Sequence, residues 1–208
     1  MSAARAFPRD VLMLERLSAL LGKGRAMKAK VIGAMVAVLL VAGVAQAADK
    51  YWNSINSYWD IDGSWSPTGD PNSADYVYLN PVSSTNTLLK IDSATGNAYA
   101  NVVYVDSTTS NTVTLQQTGG NLAVTNHLFL GVESGGNGTY NLSGTGILSA
   151  AYEYIGLYGT GVFTQSGGTH TVTNSLYLGL ESGGSGTYNL SGTGNLSAAY
   201  EYIGYYGT

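Results

Sequence analysis

The sequence predicts an all-β fold: a right-handed parallel β-helix, or β-solenoid, of about five coils, with an N-terminal cap and a helical signal segment ahead of it. Three observations carry the prediction. The chain repeats itself, residues 131–160 returning almost unchanged as residues 179–208. Each repeat is made of short strand-like stretches separated by Gly-rich turns. Within those stretches aliphatic and aromatic residues alternate with a period of two, the period of a strand whose faces differ.

In chain order, residues 1–47 come first. Met27-Lys28-Ala29-Lys30 is a short basic start, Val31 to Val44 an apolar run, and Ala45-Gln46-Ala47 a small-x-small cleavage box. Together they read as a secretory signal peptide, with Ala48 as the mature N-terminus. The apolar run is short for a bilayer span, which takes roughly 20 residues. Upstream of it, Val11, Leu14, Leu17, Leu20 and Leu21 keep helical spacing. Translation is expected to start at Met27, with residues 1–26 outside the mature fold; an extended signal peptide is the other reading.

Residues 48–91 hold all three tryptophans (Trp52, Trp59 and Trp65) and the prolines Pro67, Pro71 and Pro81. An open solenoid end exposes unpaired strand edges and a cut core, so it needs a cover. This segment is expected to be that N-terminal cap. A small carbohydrate-binding surface built from the tryptophans is the competing reading.

Residues 92–208 are the array. Residues 131–160 and 179–208 differ at four of thirty positions: Val132/Leu180, Asn137/Ser185, Ile147/Asn195 and Leu157/Tyr205. Each block is itself a pair of coils, since Tyr154-Ile155-Gly156 aligns with Tyr177-Leu178-Gly179. The first coil of a pair is slightly longer than the second. The difference lies in one turn, where Glu133-Ser134-Gly135-Gly136-Asn137 replaces the shorter Tyr158-Gly159-Thr160. Gly, Thr, Ser, Tyr and Asn dominate, which is strand and turn composition rather than helix composition. The LxxLxL strand of leucine-rich repeats is missing. Thr139–Ser143, Ile147–Ala150 and Glu153–Ile155 are three strands of one coil; Val162–Gln165, His170–Thr173 and Leu176–Leu178 are those of the next. The chain stops in mid-repeat, at Gly207-Thr208, so the array is expected to be truncated at its C-terminus.

The third strand sorts its side chains. Val103/Val105, Leu128/Leu130, Ile155, Leu176/Leu178 and Ile203 alternate with Tyr104, Phe129, Tyr154, Tyr177 and Tyr202. The aliphatics should point into the coil and the aromatics should form one outside column, about 4.8 Å apart. Such ring neighbours contribute about 0.5–1.5 kcal/mol per pair. Glu153 and Glu201 interrupt the inward column; because a buried unpaired carboxylate is costly, they are expected near a turn and hydrated.

Charge narrows the function classes. From Ala48 onward two lysines, Lys50 and Lys90, face eleven acidic residues, a net charge of −9. Nucleic acid is excluded as a partner, since phosphate binding takes several Lys or Arg. With no cysteine, stability must come from packing and backbone ladders. From Val113 to Thr208 there is no Asp, Lys or Arg, and the four glutamates Glu133, Glu153, Glu181 and Glu201 recur block by block. A repeating carboxylate points to structure rather than to one active site. The two histidines, His127 and His170, stand out of register with each other and with metal-ligand spacing. No catalytic residue, metal site or cofactor is expected.

The units YIGLYGTGVFTQSGGTHTVTNSLYLG (154–179) and LESGGSGTYNLSGTGNLSAAYEYIG (180–204) resemble the repeat shared by type V secretion (T5SS) autotransporter passengers and PEP-CTERM-sorted exported proteins. Trp59, Trp65, Pro71 and Asp75 are similar to the start of such passengers. The resemblance covers about residues 52–208 and implies a bacterial envelope or extracellular β-solenoid. Members carry a C-terminal outer-membrane barrel or a PEP-CTERM sorting tail, so membrane attachment would come only through such a region, missing here. The family supplies no catalytic residues to carry over.

The expectation is therefore a secreted or cell-surface structural or adhesive repeat protein without catalysis, meeting extracellular polysaccharide or a host or neighbouring cell surface. The alternative is a polysaccharide-binding module that uses the aromatic column for stacking; a β-helix polysaccharide lyase or hydrolase fragment stands behind it.

Overall fold

Gly turns cut the chain into pieces too short, and too rich in β-branched and aromatic residues, to hold a helix. Strands form instead, and neighbouring pieces satisfy one another's backbone. The computed structural model describes residues 47–54, 56–80, 86–107 and 111–208. The signal segment, the helical spacing at Val11–Leu21, the Met27 start and Pro81 lie outside the described residues.

The strands in order are β1 (Asp49–Trp52), β2 (Asn56–Tyr58), β3 (Trp65–Ser66), β4 (Tyr76–Leu79), β5 (Thr87–Ile91), β6 (Asn97–Val105), β7 (Val113–Gln117), β8 (Asn121–Leu130), β9 (Asn137–Leu142), β10 (Ile147–Ile155), β11 (Thr160–Gln165), β12 (Thr169–Leu178), β13 (Ser185–Leu190) and β14 (Asn195–Ile203). One 3-10 turn, Asp62–Ser64, precedes β3. The strands build two sheets, one ordered β14-β12-β10-β8-β6-β4-β1-β3 and the other β13-β11-β9-β7-β5-β2. Consecutive strands in the array thus go to opposite sheets, and each sheet gains one strand per turn. The result is a β-solenoid. Every ladder among the described residues is parallel except β1 with β3, which is antiparallel.

The registers give the coil lengths directly. Thr114 lies beside Thr139, Thr139 beside Val162 and Val162 beside Thr187, so longer and shorter coils alternate as the blocks align. Two sequence expectations change. The second and third strands of each coil are one bent strand: β10 runs from Ile147 to Ile155, with a register shift between Ala150 and Tyr152. The bulge supplies the bend that the sequence suggested as a turn. The solenoid also has about six turns rather than five, because β2 and β4, in the Trp- and Pro-rich segment, already stack in register on β5 and β6. Composition hid them: the pattern Val77-Tyr78-Leu79 matches Val103-Tyr104-Val105 but stands among prolines and acids.

The core is the space between the sheets. Leu89, Leu115, Leu122, Leu128, Leu148 and Ile155 are among its buried side chains. Trp52, Trp59 and Trp65 join it at 4%, 2% and 1% exposure, packed edge to face at 4.9 and 5.2 Å. Two buried polar side chains tie that end together. Lys50 donates to the carbonyls of Pro67, Thr68 and Gly69 at 3.2, 3.1 and 2.8 Å, and Asp75 accepts from the backbone of Ala48 and Asn72. Between coils the chain approaches its neighbour closely at the column Gly138–Gly161–Gly186. A Cβ on Gly138 would fall inside contact distance of the Val105 carbonyl, so only glycine fits there.

Candidate functional site

Two aromatic constructions run along the solenoid axis, one outside and one inside. The outer one contains every residue of the column expected from the sequence, Tyr104, Phe129, Tyr154, Tyr177 and Tyr202, and extends it by Tyr78 and Tyr51. Successive ring centroids are 4.8–5.0 Å apart and their planes lie within 4–15° of parallel. The spacing is that of neighbouring strands. It has a chemical consequence: each ring covers the faces of its neighbours. Between Tyr51 and Tyr202 the column therefore presents ring edges and phenol hydroxyls outward, not π-faces. Partial burial raises the Tyr78, Tyr104 and Tyr154 phenols above their usual range.

His127 belongs to a second, interrupted outer column. It stacks on Tyr152 at 5.2 Å and lies 5.5 and 5.8 Å from Phe129 and Tyr154. Burial lowers its imidazole below the ordinary value.

The inner construction was not legible in the sequence. Tyr140, Phe163 and Tyr188 stack inside the coil at 4.8 and 4.7 Å, and His170 stacks on Phe163 at 4.7 Å. Around them is a buried polar chain. The Gln165 amide donates to the Gly168 and Asn195 carbonyls, both at 3.1 Å. That aims its oxygen at Tyr188, whose hydroxyl donates to it. The Tyr188 oxygen lies 2.8 Å from His170 Nδ1, and His170 Nε2 lies 2.7 Å from Glu153 Oε1. Gln117 and Tyr140, one block earlier, repeat the first part: Tyr140 donates to Gln117 Oε1 at 2.6 Å.

Glu153 does stand near a turn, close to where β10 ends and the bend at Gly156 begins, but it is not hydrated. It sits within β10, fully buried like His170, and the imidazole partner is what lets a carboxyl occupy the aliphatic column. The sequence hid this partner because Leu148, not Glu153, is the register neighbour of His170. The register shift of β10 falls between those two inward positions, and the two side chains converge across it. The hydrogen-bond directions also count the protons. Tyr188 gives its proton to Gln165, so His170 Nδ1 is the donor to Tyr188. The short Nε2–Oε1 contact then holds one proton, on either the imidazole or the carboxyl. Glu153 Oε2 has no hydrogen-bond partner among the described residues.

Glu201, the equivalent of Glu153, is exposed on the last rung. Glu133 and Glu181 lie in turns; the Glu133 amide donates to Asp106 at 2.9 Å. A shallow cleft of about 260 Å³ lies among Tyr58, Lys90, Asp92, Gln116 and Thr118. In it the Lys90 ammonium stands 5.5 Å from the Tyr58 ring centroid. Among the described residues no three His, Asp or Glu side chains gather as a metal site. No family model, no curated protein and no solved structure matches the chain.

Proposed function

We propose that this chain is an exported bacterial protein of the cell surface or extracellular space, whose solenoid serves as a structural or adhesive scaffold without catalysis. The solenoid is right-handed, as parallel crossover connections are, and the segment around Trp52, Trp59 and Trp65 caps its first rung. The observation that carries the reading is the outer ladder of seven stacked rings, one on each successive strand of a sheet whose ladders from β1 to β14 are parallel. A chain that commits its aromatics to one continuous stack gains a stiff rod. The basic-apolar-small pattern of residues 27–47 supports export, and attachment to a membrane would come through a C-terminal barrel or sorting tail. No cofactor enters this reading, and nucleic acid is not a partner. Expression in a Gram-negative host tests it. The chain should leave the cytoplasm with Ala48 as its N-terminal residue by mass spectrometry; an intact chain retained in the cytoplasm overturns the reading.

The row of phenol hydroxyls, one for nearly every rung, favours a second reading: an extracellular polysaccharide bound along the column. With the ring faces covered by one another, the sugar would meet edges and hydroxyls rather than stack. Replacing Tyr154, Tyr177 and Tyr202 together by Ser should abolish retention on immobilised polysaccharide; unchanged retention removes this reading.

A further inference from the structure

Lys50 and Lys90 are the only lysines from Ala48 onward, where there is no arginine, and the fold uses them differently. Lys50 is buried and commits its ammonium to the carbonyls of Pro67, Thr68 and Gly69. Lys90 makes no hydrogen bond or ion pair among the described residues. Its ammonium rests instead against the Tyr58 ring, 5.5 Å from the centroid. An aromatic face holds a cation in place without taking its N–H donors. A strongly acidic chain thus carries one positioned ammonium whose donors remain free.

The surroundings of Lys90 define what those donors meet. Register puts Tyr58, Lys90 and Gln116 side by side on β2, β5 and β7. Asp92 and Thr118 each follow the end of a strand, β5 and β7. Together they line the cleft of about 260 Å³. The Asp92 carboxylate is fixed in its turn, because Oδ1 accepts from the Ala94 and Thr95 amides at 2.8 and 3.1 Å. Among the described residues nothing donates to its Oδ2. The cleft therefore offers one ammonium, one fixed carboxylate oxygen, one amide and one hydroxyl.

We propose that this cleft binds one uronate residue of an acidic polysaccharide, its carboxylate on Lys90 and its ring hydroxyls on Asp92, Gln116 and Thr118. A sugar hydroxyl both donates and accepts, which suits a carboxylate beside an amide and a hydroxyl. The volume lies below the ~300–1,000 Å³ of sites for drug-sized molecules, so it fits one ring rather than a run of them. A neutral sugar would leave the ammonium unused. A phosphate would bring more negative charge beside Asp92 with a single cation to meet it. The cleft belongs to the sheet of β2, β5 and β7, whereas the outer aromatic column runs along the other sheet. The inference therefore does not rest on sugar binding by that column.

The test follows amide and side-chain shifts of the isotope-labelled protein by NMR. The probes are trigalacturonate and triglucuronate, each as the free acid and as the methyl ester, which keeps every ring hydroxyl and removes the charge. At least one free acid should shift Lys90, Gln116 and Thr118 saturably. Esterification should weaken binding by about tenfold or more, the loss of a charge-assisted hydrogen bond. Lys90→Gln should abolish the shifts while melting like the parent, and Lys90→Arg should retain them. The combined Tyr154→Ser, Tyr177→Ser and Tyr202→Ser change should leave them unaltered, which separates this site from the column. The proposal is overturned if neither acid shifts these residues, if the esters bind as well as the acids, or if Lys90→Gln binds like the parent. Loss of binding in the triple serine variant also overturns it, since the sugar would then lie on the column. So does triglutamate giving the same shifts at the same concentration, which would assign the cleft to an acidic peptide.

Discussion

The rungs 137–155 and 185–203 are close to the same sequence in two environments. Leu142, Glu153 and Ile155 are buried; Leu190, Glu201 and Ile203 are open. In a solenoid a residue's burial belongs to the neighbouring coil as much as to its own. Equivalent substitutions in the two rungs should therefore differ sharply, and each such pair either sharpens this contrast or breaks it.

The largest difference is expected at the carboxylates. Glu153→Ala strands the His170 imidazole in the core and should lower stability by about 3–5 kcal/mol, while the combined Glu153→Leu and His170→Leu change should recover most of that loss. Glu201→Ala should lie within about 0.5 kcal/mol of the parent. Urea melts of the set measure all three; equal losses at 153 and 201 would break the contrast.

Next come the leucines. Leu142→Ala removes a fully packed side chain and should cost about 2–5 kcal/mol. Leu190→Ala removes one that is half in water and should cost well under half as much, read in the same melts.

A smaller effect is expected where only a hydrogen bond is lost. Tyr140→Phe keeps the ring stack but leaves Gln117 Oε1 unsatisfied, at about 1–3 kcal/mol. Burial holds the Tyr140 phenol well above its usual range, so the loss should be the same at pH 7 and pH 9. A loss that disappears at pH 9 would show that the hydroxyl is not buried.

The smallest effect concerns the outer face. The His127 imidazole is lowered from 6.5 by burial in the stack. As pH falls through that value the unfolded chain takes up a proton that the folded chain resists, so stability falls towards acid. His127→Phe should reduce the difference in melting temperature between pH 8 and pH 5. An unchanged difference would mean that His127 titrates alike in the folded and unfolded chain.

Much of this architecture is legible in the sequence because it is local. Period-two alternation needs only adjacent residues, so Leu128-Phe129-Leu130 and Leu176-Tyr177-Leu178 declare their inner and outer faces unaided. Coil length follows from the alignment of the blocks, and the registers reproduce it. The bent strand was less legible, because Ala150-Ala151 carries neither glycine nor proline to mark a bulge. Tyr51 and Tyr78 were hidden by an atypical composition around an ordinary strand pattern.

By itself, then, the sequence determined the period of the coil, the face each side chain takes and most of the outer column, since all three follow from spacing along one strand. Only the tertiary structure decided that Glu153 meets His170, that Gln165 orients Tyr188, and that Leu142 is buried while Leu190 is not. Those outcomes depend on which residues come within a few ångströms across rungs. That is set by stacking, by a register shift in mid-strand and by the presence of the next coil, none of which is written in the residues that feel them.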